Sequence, residues 1–83
     1  MERLKKSNKV VGLKQTMKMV SKNNAEIVYI AEDADSRIIQ PLVNICVNEA
    51  VEVIKVKSMK ELAKACKVEV PTACAAILKG CDK

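Results

Sequence analysis

The sequence predicts an α/β protein, a single domain folded as a three-layer α/β/α sandwich around a mostly parallel or mixed sheet. Three observations carry this. Strand-like and helix-like stretches alternate through the chain in the order β-α-β-α-β-α-β, the signature of helices layered on a sheet. Ile27-Val28-Tyr29-Ile30-Ala31 is a continuous apolar run of strand length, as in a strand covered on both faces. The chain has 83 residues, 49% of them apolar, with only two glycines, which is too short for two domains and too apolar for a disordered segment.

The elements follow in order. Residues 1–8 are expected to form a short helix or an arm. Lys9-Val10-Val11-Gly12 reads as a short strand ending in a glycine. Leu13, Met17 and Val20 then recur at i, i+4, i+7, the apolar stripe of a helix, with Lys14, Lys18 and Lys22 on a neighbouring face. Asn23-Asn24 is the turn that ends it. After the 27–31 strand, the acidic stretch Glu32-Asp33-Ala34-Asp35-Ser36 offers an N-cap. A second helix is expected over roughly 37–49, with Ile39, Leu42, Val43, Cys46 and Val47 buried and Pro41 near its first turn or bending it. Val51, Val53, Ile54 and Val56 make the next strand. Ser58-x-x-Glu61 is a capping box, opening a helix with Leu62, Ala63, Ala65 and Cys66 inside and Lys60, Lys64 and Lys67 outside. Val68 to Thr72 is a short loop containing Pro71. Ala73 to Leu78 suits helix by its alanines and buried strand by its length and full apolarity.

Composition excludes several functions. Without histidine, no catalytic site of the Ser-His-Asp or Cys-His kind can form within one chain, and no His-containing metal site. Cys46, Cys66, Cys74 and Cys81 lack any C-x2-C pair, so zinc and dithiol redox sites are not expected. The first three sit in apolar contexts and read as small core residues; Cys81, near the terminus, should be more exposed. No apolar h-region follows the charged start MERLKKSNK, and no apolar run reaches membrane-spanning length. A cytoplasmic protein with reduced thiols is therefore expected. Tyr29, the lone aromatic, cannot make the stacking surface on which many single-strand binders splay bases.

Charge is unevenly spread. Residues 1–22 carry +6, whereas residues 23–83 carry −1. The basic excess surrounds the strand–glycine–helix junction Val11-Gly12-Leu13-Lys14-Gln15-Thr16-Met17-Lys18, where orphan backbone amides point outward. One glycine is not a nucleotide-binding loop. The junction is open to two readings, a solvated basic face or a polyanion site. Lysine can donate to both acceptors of a guanine edge, and glutamine can both donate and accept. A-form RNA normally hides those edges, so a helix end reaches them only where the RNA is kinked, bulged or widened. The loop Val68-Glu69-Val70-Pro71-Thr72 is stiffened by proline. It could pack on an unstacked base or a partner protein, or simply turn its valines to the core. The carboxylates of Glu32, Asp33 and Asp35 lack a nucleophile or base at useful spacing and read as helix caps rather than a metal or catalytic site.

Three stretches, Val11 to Lys18, Ile30 to Asp35, and Ser58 to Cys66 followed by Val70-Pro71, together resemble the kink-turn RNA-binding family of ribosomal proteins. That family includes archaeal large-subunit and box C/D core proteins and short bacterial members of about this length. The resemblance runs over residues 9–78. Its RNA-reading motif is G-x-N-E-x-x-K. Gly12 and Lys18 match its ends, and Lys14-Gln15 replaces its Asn-Glu pair, as in the short bacterial members. The resemblance implies that the last segment is a strand, completing a mixed four-stranded sheet. It implies Lys14 and Lys18 on guanine edges at tandem sheared G·A pairs, with Gln15 nearby. It implies the 68–72 loop, Val68, Glu69, Val70, Pro71 and Thr72, on bulged nucleotides. In some relatives a pocket takes a flipped-out base. Asp35 and Ile39 match two of its positions, and Met59 and Ala73 depart from the other two. The implied function is non-enzymatic binding of a kink-turn in structured RNA, ribosomal or riboswitch, by a monomer without cofactor or metal. Neither DNA nor a membrane is expected as partner. The competing expectation is a protein-interaction module whose basic helix is merely solvated.

Overall fold

The structure, a computed structural model, describes residues 9–78. The expected 1–8 helix or arm and Cys81 lie outside that span. The order is β1 (Lys9–Val11), α1 (Leu13–Ser21), β2 (Ala25–Ala31), α2 (Ser36–Asn48), β3 (Glu52–Val56), α3 (Met59–Cys66) and β4 (Cys74–Leu78). The strands form one mixed sheet in the order β1-β4-β2-β3. β4 runs antiparallel to both β1 and β2, and β2 runs parallel to β3. The last segment is a strand: Cys74, Ala75, Ala76 and Ile77 are all fully buried between two helical layers, which overrides alanine's helical preference.

Burial alternates along β2. Ile27, Tyr29 and Ala31 pack with Leu62, Ala65 and Cys66 of α3 on one side. Val28 and Ile30 pack with Val20 of α1 and Ile39, Leu42 and Cys46 of α2 on the other. The sheet therefore carries α1 and α2 on one face and α3 on the opposite face, the expected sandwich. The register shifts between Ala25 and Ile27, and that irregularity lets Ala25 join the α1/α2 side although it shares its parity with Ile27.

Several local expectations need correction. β2 begins at Ala25 rather than Ile27, because Ala25 already pairs with Leu78. Val51 precedes β3. Pro41 lies in the second turn of α2, where the helix loses one backbone donor and is retained by its buried face. Val47 is 72% exposed, since the α2 stripe narrows towards the helix end. Thr16, a polar residue beside the apolar stripe of α1, is fully buried against β4. Cys46, Cys66 and Cys74 are core residues, as their apolar contexts indicated. Burial pushes all three thiols up. Cys74 rises from 9.0 to about 11, with the Thr16 hydroxyl pulling slightly the other way. The Thr16 Oγ1 lies beside the Cys74 sulfur and makes no hydrogen bond among the described residues.

Candidate nucleic acid interface

Four connections meet at one end of the sheet. The Gly12 N–H donates to the Cys74 carbonyl at 2.9 Å, and the Ala31 N–H donates to Ala73 at 2.9 Å. The Glu32 N–H donates to the Val56 carbonyl at 2.7 Å. The start of α1, the loop before β4, the acidic loop after β2 and the turn after β3 thus sit side by side. At about 4.8 Å per strand spacing, they span roughly 14 Å.

At the α1 start, Gly12 has φ 101° and ψ 153°, a conformation essentially restricted to glycine. A Cβ there would meet nothing within 4 Å, so the glycine is dictated by the backbone and leaves open space above it. The first intrahelical bond runs from Thr16 N–H to Gly12 O at 3.0 Å. The amides of Leu13, Lys14 and Gln15 precede it, and among the described residues no side chain caps them. The first turn holds no acidic residue, and Lys14 stands in it. A helix normally prefers the opposite charge at this positive end, by about 0.3–1 kcal/mol. Lys14, Gln15 and Lys18 are all exposed, with the two lysines one turn apart on one flank. The result is a concentrated donor surface: three free amides, two ammonium groups and a carboxamide.

The loop before β4 is pinned at both ends. Lys67 adopts φ 62° as the α3 C-cap, and Val68 N–H returns to Ala63 O at 3.0 Å. Thr72 N–H donates to Met59 O at 3.2 Å, and its hydroxyl donates to Val70 O at 3.3 Å. Thr72 is 4% exposed, so it shapes the loop from beneath. Val68 is half-buried against the α3-side core. Glu69, Val70 and Pro71 project outward, Val70 being 68% exposed. The loop does not turn its central valine to the core; it presents Val70-Pro71 as an exposed apolar tip beside the α1 start.

The acidic loop caps two helices. Asp35 is the N-cap of α2, its Oδ1 accepting from Arg37 N–H at 2.9 Å, and its carboxylate pairs with the Arg37 guanidinium at 3.2 Å. The Arg37 side chain and backbone together hold the Asp35 carboxyl below the usual carboxylate range. Asp33 reaches across 26 residues, its Oδ1 accepting from Met59 N–H at 2.8 Å at the head of α3. Ser58 Oγ accepts from Glu61 N–H at 3.1 Å, the expected cap. No local spacing betrays the Asp33 contact, because its partner is brought near only by the parallel β2–β3 pairing. Ile39 is buried below Asp35 and packs on the α1/α2 side, as does Ala73. Met59 packs on the α3 side. Ile39 and Ala73 thus pack on one face of the sheet and Met59 on the other, with Asp35 in the loop at the sheet end. Among the described residues, no group of three or more His, Cys, Asp or Glu could hold a metal ion, and no helix is long and apolar enough to cross a membrane.

The profile of the ribosomal protein L7Ae/L30e/S12e/Gadd45 family matches residues 1–83. The RNA-binding protein YbxF of Geobacillus stearothermophilus is 49% identical over 71 residues, covering 84% of this chain and 85% of that protein. Large ribosomal subunit protein eL8 of Halobacterium salinarum is 33% identical over 72 residues, covering 86% of this chain. The solved structure of the Giardia lamblia 15.5kD RNA binding protein superposes with a TM-score of 0.80 at 36% identity and also covers 86% of this chain. The chain spans 60% of the length of each of these last two proteins.

Proposed function

The chain belongs to the ribosomal protein L7Ae/L30e/S12e/Gadd45 family, and from that premise we propose that this RNA-binding, non-enzymatic protein recognises a kink-turn in structured RNA. The observation that carries the proposal is the pinning of two unlike surfaces on one sheet end: the uncapped, lysine-bearing start of α1 and the apolar Val70-Pro71 tip. A straight duplex offers phosphates to the first and nothing to the second. A kinked duplex opens its major groove to the helix end and extrudes bases for the loop to pack on. Lys14 and Lys18 then donate to guanine edges, Gln15 bonds alongside them, and the open space over Gly12 admits the backbone closely. Asp35 and Ile39 border this surface, with the Asp35 carboxylate committed to Arg37. Ribosomal or riboswitch RNA would supply such a kink, and the protein would act on it as a cytoplasmic monomer.

Gel-shift titration of a kink-turn duplex against a straight duplex of equal length tests the reading. Preferential binding of the kinked RNA, weakening as salt rises, is expected. Lys14→Ala should cost the specific complex about 1–3 kcal/mol. The same change removes a cation from the positive helix end, so folding stability should hold or rise slightly. Equal affinity for the two duplexes would overturn the proposal.

A further inference from the structure

The outer face of α3 bears a second basic surface, on the opposite side of the sheet from α1. Lys60 and Lys64 stand one turn apart on it, Lys57 precedes its N-cap and Lys67 is its C-cap. All four are exposed, and none makes an ion pair among the described residues. Side chains one turn apart lie about 5–6 Å from each other, a step that successive phosphates of a flexible strand can match. Lys60 and Lys64 border an open groove of about 640 Å³ between α3 and the loop before β4. Met59, Ala63, Val68 and Pro71 give it an apolar lining. Asp33 and Glu69 also line it, and the Met59 N–H occupies only one of the two Asp33 carboxylate oxygens.

One ligand chemistry suits all three features. Phosphates suit the lysines, a flat heterocycle suits the apolar lining, and an exocyclic amino group suits a carboxylate, as cytosine's does with Asp or Glu. An acidic peptide would satisfy the lysines but would meet Asp33 and Glu69 with like charge. Pro71 lines this groove and also belongs to the exposed tip of the candidate interface, so the two surfaces are continuous around one loop. We propose that the α3 groove is a second RNA site, taking unpaired nucleotides that continue past the Val70-Pro71 tip and favouring amino-bearing bases over uracil. This rests on the RNA-binding reading but not on recognition of the kink.

The first experiment titrates the full chain with a four-nucleotide oligocytidylate and follows backbone amide resonances. Shifts are expected at Met59 to Lys64 and Val68 to Glu69, larger than those caused by oligouridylate. Lys60→Gln with Lys64→Gln should abolish them and, for a kink-turn RNA whose single-stranded extension reaches the groove, lower the salt slope of binding by about 1.4, at about 0.7 per phosphate on a single strand. Equal shifts from oligoglutamate would assign the groove to an acidic protein instead and overturn the proposal. A second experiment compares a blunt kink-turn duplex with one carrying a single-stranded extension. The extension should strengthen binding several-fold in the parent chain and not in the double variant, with the blunt duplex bound equally by both. Binding of the extended RNA by the variant as tightly as by the parent would also overturn it. Loss of kink preference with the oligocytidylate shifts intact would sink only the kink-turn reading.

Discussion

Gly12 stands at a backbone position where a side chain is disfavoured by its own dihedral angles and by nothing around it. Gly12→Ala should therefore destabilise the fold by about 1–3 kcal/mol in urea denaturation, with no steric rearrangement of its neighbours. The glycine was legible as punctuation between a strand and a helix; that it must adopt φ 101° was not, because that follows from the bond of its N–H to Cys74. The thiols carry a pH prediction. A thiol raised by burial keeps its proton longer in the folded chain than in the unfolded one. Stability contributed by Cys74 is complete below about 9 and is lost as pH climbs from there towards about 11. Cys46 and Cys66 shift in the same direction. Denaturation midpoints should fall over that alkaline interval, and Cys74→Ser or Cys74→Ala should remove part of the slope. Buried thiols were foreseeable from their apolar neighbours. Thr16 was not, since nothing in a Gln-Thr-Met sequence marks the threonine as the residue that meets β4.

Among the elements, α3 is the one whose position is most heavily specified. Its N-terminus receives Ser58 Oγ on the Glu61 amide and Asp33 Oδ1 on the Met59 amide, and its first residue's carbonyl accepts from Thr72. Through these bonds the helix links the acidic loop to the loop that carries Val70-Pro71. Ser58→Ala should cost about 1 kcal/mol of stability by chemical denaturation. It should also speed amide exchange at Glu61 and Thr72 together, because both depend on the seating of α3; exchange confined to Glu61 would break the link. The Ser58 half of the expected capping box was readable because its two partners are three residues apart; among the described residues the reciprocal bond from the Ser58 N–H to the Glu61 carboxylate does not form. The Asp33 contact and the pinning of Thr72 were not, because each depends on elements distant in sequence. The narrowing of the α2 stripe that leaves Val47 exposed is likewise a matter of where the sheet ends under the helix.

For the molecule as a whole, the +5 charge resolves into a basic first quarter on a nearly neutral body, with a smaller lysine surface on α3. A ligand that binds only the folded chain raises its melting temperature by mass action. Kink-turn RNA at a hundredfold excess over its dissociation constant should add about 2.7 kcal/mol, or roughly 10–20 °C for a domain of this size. A straight duplex at the same concentration should add far less, and equal shifts would point to charge alone. The alternation of apolar runs and helical stripes was enough to determine the layers, the helix faces, the buried cysteines and the residues of the α1 junction. These depend on periodicity and capping, which act within a few residues. Only the tertiary structure decided that β4 inserts between β1 and β2, antiparallel to both. That insertion sets the α1 start beside the 68–72 loop and divides Ile39 and Ala73 from Met59 across the sheet. Strand order is a choice among pairings far apart in the chain, made by how two buried faces fill together. No local pattern encodes it.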